Sequence, residues 1–192
     1  FGLQQDFTTA DRISKGGKSL LVISNGHGED LISLRILEAL HKQKPALRIE
    51  VLPLVGEGKI FNEAIASNWI IKIGPSLRLP SGGFSNQSLR GLLADLWAGL
   101  LGVIWQNWNY VKWAGSNGRV ILAVGDLLPL LFAWSSGACF GFIGTPKSDY
   151  TWKSSFGTEF SDYYHLLKGT EWEPWEWMLM KSLRCKMVFV RD

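Results

Sequence analysis

The most constraining feature of this sequence is an apolar run that ends at a short, glycine-containing turn and is followed at once by a helical pattern. The run covers residues 20–24, the turn covers residues 25–30, and leucines then recur at helical spacing. This order predicts a strand at 19–24, a tight loop and a helix at 29–43, the first unit of an α/β domain. Because ligands of open α/β sheets bind beyond the carboxyl ends of the strands, the turn is the first candidate binding site.

The rest of the sequence continues this alternation of strands and helices. The alternation predicts a Rossmann-like, mostly parallel sheet wrapped by helices, in one domain over residues 19–192 that follows a mobile lead-in at 1–18. The Trp-rich segment after residue 146 is predicted to be irregular until the last strand. The further predicted strands are 49–55, 69–73, 119–124, 138–143 and 186–190, and the further predicted helices are 60–67, 88–113 and a segment after Pro129.

Composition and charge exclude several classes of protein. Hydrophobic residues make up 46% of the 192 residues, which excludes a disordered chain. The net charge is only +3 and the basic residues are scattered, so the sequence does not predict a nucleic-acid partner. Cys139 and Cys185 lie far apart in apolar surroundings and are interpreted as reduced core residues. With neither a signal peptide nor a membrane-spanning run, we expect a cytoplasmic protein, free or peripheral on the cytoplasmic face of the inner membrane.

The turn after the first strand carries residue types that suit a ligand site. Its two glycines permit positive φ and close approach of the backbone to a ligand, and the following helix N-terminus attracts phosphate or carboxylate. His27 is a candidate catalytic base, because the ordinary pKa of histidine is about 6.5. The alternatives are a histidine that only hydrogen-bonds the loop and acidic residues that only cap the helix. The candidate substrate-binding residues here are Asn25, Gly26, Gly28, Glu29 and Asp30.

Two later strands are predicted to bring polar side chains to the same edge of the sheet. Asp126 directly follows a β-prone run and is the second candidate for the catalytic base, with capping of the next helix as the alternative. Thr145, Lys147 and Ser148 follow the next strand and are candidates for holding a polar substrate, with an ordinary turn as the alternative. The three histidines lack the spacing of metal ligands, so no metal site is expected.

The predicted helix at 88–113 is apolar on more than one face. A helix of this kind is either buried in a core or in contact with a membrane or a partner. Trp97, Trp105 and Trp108 lie along it and are candidates for contact with a membrane or a lipid acceptor, and burial in the core is the alternative.

Four sequence motifs resemble those of the lipid-A-disaccharide synthase-related proteins of cyanobacteria. They are Ser24 to Asp30, Gly125-Asp126, Gly144 to Tyr150 and Arg184 to Asp192, and the resemblance extends over nearly all of the sequence from Lys18 onward. These proteins are in turn similar to lipid-A-disaccharide synthase, a two-domain glycosyltransferase of the GT-B type.

The resemblance implies a fold and a separate role for each of two domains. The chain would be the N-terminal, acceptor-side domain of a GT-B fold, and a C-terminal domain of the same protein, absent from this chain, would bind the UDP-sugar donor. No cofactor is implied. The turn at 25–30 would face the cleft between the domains, and Asp126 would lie near the acidic residue proposed as the base. The acceptors of this enzyme class are lipid-linked, and this chain alone is expected to be inactive.

Three functions follow from these observations. The first is the acceptor-binding half of a UDP-sugar-dependent hexosyltransferase that uses an inverting single displacement, with His27 or Asp126 as the base. The second is a non-hydrolysing sugar-nucleotide epimerase, which shares the architecture and needs no lipid acceptor. The third is a non-catalytic, membrane-associated binding module whose function lies in the helix at 88–113.

Overall fold

The computed structural model describes residues 19–75, 100–145 and 172–190, with the side chains of His27 and Leu100 excepted. Six strands form the sheet: β1 (Ser19–Ser24), β2 (Arg48–Pro53), β3 (Ile70–Lys72), β4 (Val120–Gly125), β5 (Phe140–Gly144) and β6 (Cys185–Val190). Within the described ranges, five α-helices accompany them: α1 (His27–Gln43), α2 (Asn62–Ala66), α3 (Leu100–Ser116), α4 (Leu127–Ser135) and α5 (Pro174–Met180). A 3₁₀ turn, Lys59–Phe61, precedes α2.

All five strand pairings in the sheet are parallel, and the strand order is β3-β2-β1-β4-β5-β6. The first described strand, β1, lies in the middle of the sheet, β2 and β3 follow on one side of it, and β4, β5 and β6 follow on the other side. In the central register, Leu20 pairs with Ile49 on one side and with Val120 on the other. This arrangement confirms the predicted Rossmann-like α/β fold.

Helices cover both faces of the sheet, as near-continuous apolar strands require. On one face α1, α2 and the 3₁₀ turn enclose a core that includes Val22, Leu37 and Phe61. On the other face α3, α4 and α5 enclose a second core that includes Val111, Phe132 and Phe142. The helix that follows β1 and the helix that follows β4 therefore lie on opposite faces.

Outside the turn after β1, three differences from the sequence-based expectations stand out. A helix, α5, begins within the segment predicted to be irregular, because Pro174 starts it and Glu173 and Glu176 form a reciprocal capping box. Helix α4 begins before Pro129, which its first turn tolerates because no helical N–H is needed there. Cys139 is exposed and so is not the core residue that was predicted, because it lies in the loop between α4 and β5. The predicted lead-in at 1–18 and the first part of the helix predicted at 88–113 lie outside the described residues.

Candidate functional site

The sheet has a topological switch point between β1 and β4. These neighbouring strands are followed by helices on opposite faces of the sheet, and open α/β sheets have their ligand crevice beyond the carboxyl ends of two such strands. The turn after β1 begins at Asn25, and the turn after β4 contains Asp126. The crevice is therefore bounded by two of the segments that the sequence singled out.

The turn after β1 is built around Gly26. This residue has a φ of 146°, a value that side chains with a Cβ rarely adopt, and its carbonyl accepts a hydrogen bond of 2.6 Å from the Asp30 N–H. The hydroxyl of Ser24 donates a 2.5 Å hydrogen bond to Asp30 Oδ1, and both residues are buried. Asp30 thus ties the end of β1 to the first turn of α1, where its charge also suits the helix dipole.

Gly28 lies inside the first turn of α1 and not in the preceding loop. It has no positive φ, so the conformational freedom expected of it is not used. Nothing lies within 4 Å of a Cβ built at this position, and the residue is exposed. The N-terminal turn of α1 is accordingly open to a ligand on this side.

Asp126 is the N-cap of α4 and also contacts the turn after β1. Its Oδ1 accepts a hydrogen bond from the Leu128 N–H at 3.1 Å and a second one from Asn25 Nδ2 at 3.0 Å. The capping alternative considered for Asp126 is therefore present in the structure, together with a side-chain bridge across the switch point. Both of these hydrogen bonds end on Oδ1. A ligand that binds Asp126 must therefore leave at least one of them, from Leu128 or from Asn25, in place.

Gly125 permits this close approach of the two turns. Its φ is 137°, and a Cβ built on it would lie 3.1 Å from the Cβ of Asn25 and 3.4 Å from the Cγ of Glu29. A larger residue would push the two turns apart, so glycine is required for the Asn25–Asp126 bridge.

Thr145 brings the end of β5 into the same cluster. Its hydroxyl donates a hydrogen bond of 3.2 Å to Glu29 Oε1, and its N–H donates one of 3.1 Å to the carbonyl of Gly125. Four of the predicted site residues, from the ends of β1, β4 and β5 and the start of α1, therefore form two hydrogen-bonded pairs that the backbone bond from Thr145 to Gly125 links. We call them the rim cluster: Asn25, Glu29, Asp126 and Thr145.

The rim cluster is rich in hydrogen-bond acceptors. Glu29 and Asp126 carry half-buried carboxylates, and Asn25 Oδ1 is a buried acceptor without a hydrogen-bond partner. Buried polar atoms are ordinarily hydrogen-bonded, so the unsatisfied Asn25 oxygen is a position at which a donor is needed. Such a cluster favours ligands that present hydroxyl or amino groups. A carboxylate beside a ligand hydroxyl is suited to remove its proton as a general base.

Several predicted site residues cannot be placed relative to this cluster. The side chain of His27 lies outside the description, although its backbone begins α1. Lys147, Ser148 and Trp97 lie outside the described residues. The catalytic and binding roles assigned to them stay predictions.

Two of the three described tryptophans of α3, those predicted to contact a membrane or an acceptor, have different surroundings. Trp105 is 65% exposed, and Leu101, one turn earlier, is exposed to the same extent. Trp108 packs edge-on against Phe132, with ring centroids 5.5 Å apart, at the border of the core. Since α3 leads into the amino end of β4, its first turns lie toward the carboxyl edge of the sheet, the edge that holds the rim cluster.

A second polar cluster lies at the opposite, amino edge of the sheet and was not predicted. Glu50 is fully buried and is held by Arg48 Nε at 3.0 Å, by Arg119 Nε at 2.9 Å and by the hydroxyl of Tyr110 at 2.9 Å. Burial and the charge of Glu50 raise the pKa of Tyr110 far above its ordinary value of 10.0. The Arg119 guanidinium also stacks on the ring of Trp113. The sequence feature that could have indicated this cluster is a charged residue, Glu50, between apolar neighbours in β2.

Two searches of the described residues give negative results. No group of three or more His, Cys, Asp or Glu side chains in this part of the chain is arranged to hold a metal ion. Nor does any helix in the same ranges have the length and apolar character needed to cross a bilayer.

The chain was also compared with known proteins. No protein-family model, no curated protein and no solved structure gave a significant match.

Proposed function

We propose that this chain is the acceptor-binding half of a UDP-sugar-dependent glycosyltransferase that resembles lipid-A-disaccharide synthase and acts on a lipid-linked or glycolipid acceptor. The observation that carries the proposal is the convergence of the rim cluster on the switch-point crevice. Its Glu29 and Asp126 carboxylates and its unsatisfied Asn25 oxygen match the hydroxyl groups that a sugar acceptor presents.

The proposed reaction is an inverting single displacement. The acceptor hydroxyl lies against Asp126 or His27, which removes its proton as the oxygen attacks the anomeric carbon of the donor. The bond between the anomeric carbon and UDP breaks as the new glycosidic bond forms, and UDP leaves with the bonding electron pair. A C-terminal domain of the same protein would hold the donor.

The apolar surface of α3 supports the choice of a lipid-linked acceptor. Leu101 and Trp105 are one helical turn apart, both are exposed, and both lie toward the edge of the sheet that holds the rim cluster. A lipid chain attached to a sugar in the crevice would therefore meet apolar side chains. The indole of Trp105 also suits the border between lipid and water.

The test is the turnover of the intact enzyme carrying single substitutions. Asp126→Asn is the informative variant, because asparagine is as good an N-cap as aspartate but does not accept a proton. If Asp126 is the base, kcat falls by about 100-fold or more while the fold is kept. His27→Ala tests the other candidate in the same way.

Glu38→Gln is the control for these variants. It removes an exposed carboxylate that pairs with Arg35 on α1, away from the crevice, and should leave turnover unchanged. Unchanged turnover in the double variant Asp126→Asn, His27→Ala would overturn the proposed mechanism.

The exposure of Trp105 favours a second candidate, a non-catalytic module that binds membranes. Co-sedimentation with anionic liposomes should then fall in Trp105→Ala and persist in Trp134→Ala, which changes a less exposed tryptophan on another helix. Loss of liposome binding with retained turnover in Trp105→Ala would separate the two functions, and liposome binding by a protein without any turnover would favour the module.

A further inference from the structure

The buried cluster at the amino edge of the sheet contains more positive than negative charge. We call it the amino-edge cluster, and its members are Arg48, Glu50, Tyr110 and Arg119. Both arginines donate to the Glu50 carboxylate, so two guanidinium groups share one acidic partner and the formal charge is +1. The side chain of Arg119 is only 2% exposed. Because an unpaired buried charge is costly, the cluster favours a further negative charge.

The two arginines also keep hydrogen-bond donors that Glu50 does not use. The Glu50 carboxylate accepts from Nε of both arginines and from Nη2 of Arg119. Nη1 of Arg48 and Nη1 of Arg119 are buried, and neither has a hydrogen-bond partner in the described part of the chain. Buried N–H groups are ordinarily paired, so these two atoms call for an acceptor. The charge of the cluster calls for an acceptor that is an anion.

The strands place both arginines on one face of the sheet. Ser19 pairs with Arg48 in the register of β1 and β2, and Arg119 comes one position before Val120, the partner of Leu20. Because side chains alternate between the faces of a strand, Ser19, Arg48 and Arg119 share the face that carries α3. Ser19 therefore lies between the two arginines in this row and offers a hydroxyl donor to the same ligand.

Arg119 is held in place before a ligand arrives. Its Nε lies 2.9 Å from Glu50 Oε2, and its guanidinium carbon lies 4.3 Å from the centre of the Trp113 ring. A guanidinium that is already fixed loses little conformational entropy when it binds an oxyanion. Arg48 is less enclosed, since its side chain is 15% exposed, and the cluster borders solvent there.

We propose that the amino-edge cluster binds a small oxyanion such as phosphate between Arg48 and Arg119. The oxygens of one oxyanion match the paired N–H groups of a guanidinium, whereas chloride is a single spherical acceptor. The anion enters at Arg48, whose guanidinium turns to meet it, and its charge offsets the excess positive charge of the cluster. The site lies at the edge of the sheet opposite to the rim cluster, so the proposal is independent of the proposed activity.

The first test is a titration of the wild-type chain with inorganic phosphate at constant ionic strength, followed by NMR of the indole N–H groups. The Trp113 signal, assigned with Trp113→Phe, should shift and reach saturation, because its ring stacks on Arg119. The signal of Trp105, about two turns earlier on α3, should not move. A Trp113 signal that does not shift, or that shifts equally with chloride, would rule out the site.

The second test compares two variants that each remove one guanidinium group. Arg48→Gln leaves Glu50 paired with Arg119, so the cluster becomes neutral and should stay folded. Arg35→Gln is the control, because it changes an exposed arginine of α1. At a phosphate concentration of about 100 times Kd, the midpoint of thermal unfolding should rise by about 5–10 °C in wild type and in Arg35→Gln but not in Arg48→Gln. Equal rises in all three proteins would contradict the proposal, because phosphate would then act without Arg48.

Discussion

At the scale of single residues, one polar side chain often hydrogen-bonds to two or more secondary-structure elements. Asp126 Oδ1 caps α4 and also accepts from Asn25, so the end of β4 is fixed against the turn after β1. The Glu50 carboxylate is held by Arg119, by Arg48 and by Tyr110, so β2, the start of β4 and α3 are joined at the opposite edge. Removal of one partner from such a buried group costs more than an ordinary hydrogen bond, because the remaining group stays desolvated.

Tyr110→Phe should lower the free energy of unfolding by about 1–3 kcal/mol, because the charged Glu50 loses a donor. The pH dependence has a definite sign. The pKa of Tyr110 is raised in the folded state, so its contribution is complete below the unfolded pKa of about 10 and declines as the pH rises above it. Denaturant titrations should show that the free energy of unfolding falls less between about pH 8 and about pH 11 in Tyr110→Phe than in wild type. Equal losses would contradict this assignment.

The two cysteines should differ in their rates of alkylation. Burial raises the pKa of the Cys185 thiol, and the thiolate is the reactive form. Cys139 is exposed. With iodoacetamide at about pH 8, mass spectrometry should find Cys139 modified first. In denaturant the two rates should converge, and a faster reaction of Cys185 in the folded protein would be inconsistent with the structure.

At the scale of elements, a glycine allows the close contact between α3 and the segment that follows α4. A Cβ built on Gly115 in α3 would lie 2.3 Å from the carbonyl oxygen of Ser136, which follows α4. The end of α3 therefore touches the backbone after α4 directly. The last turn of α3 tolerates no side chain at this position, although nothing in the local helical pattern distinguishes this glycine from the others.

Gly115→Ala and Gly102→Ala form a matched pair within α3. Gly115→Ala should destabilise the protein by about 1–3 kcal/mol through overpacking against the backbone. Gly102 has nothing within 4 Å of a built Cβ, so Gly102→Ala should stabilise by about 0.5–1 kcal/mol through helix propensity. Chemical denaturation of both variants measures the difference, and effects of the same sign would contradict the packing described.

At the scale of the whole molecule, the middle of the sheet should be the most stable region. β1 and β4 each have a hydrogen-bonded strand on both sides and a core on both faces, whereas no strand among the described residues pairs with the outer edge of β6. The carboxyl ends of β1 and β4 hold the candidate site, so this site is supported by the most rigid part of the fold. A site of this kind is preorganised before a ligand arrives.

Amide hydrogen exchange tests this distribution of stability. Amides of β1 and β4 should exchange slowest and those of β6 should exchange fastest among the long strands. Exchange of β6 as slow as that of β4 would contradict this distribution.

The sequence by itself determined the order and type of the main elements. Apolar runs that end at glycine give strands, and the leucine periodicity after Asp30 gives a helix, because these patterns depend only on residues close in the chain. The same local reasoning placed Asn25, Asp126 and Thr145 at the ends of three parallel strands. It failed for α5, where a capping box and a proline outweigh an irregular composition, and for Cys139, where exposure depends on the turn.

The tertiary structure alone decided which strand ends are neighbours and what their side chains contact. Strand β4 pairs with β1 on the side opposite to β2. Asn25 and Asp126 therefore come into contact although 101 positions separate them in the sequence. The enclosure of Glu50 by two arginines and the exposure of both faces of β6 have the same origin. Hydrogen bonds and burial depend on distances in space, and spacing along the chain does not determine those distances once distant strands pair.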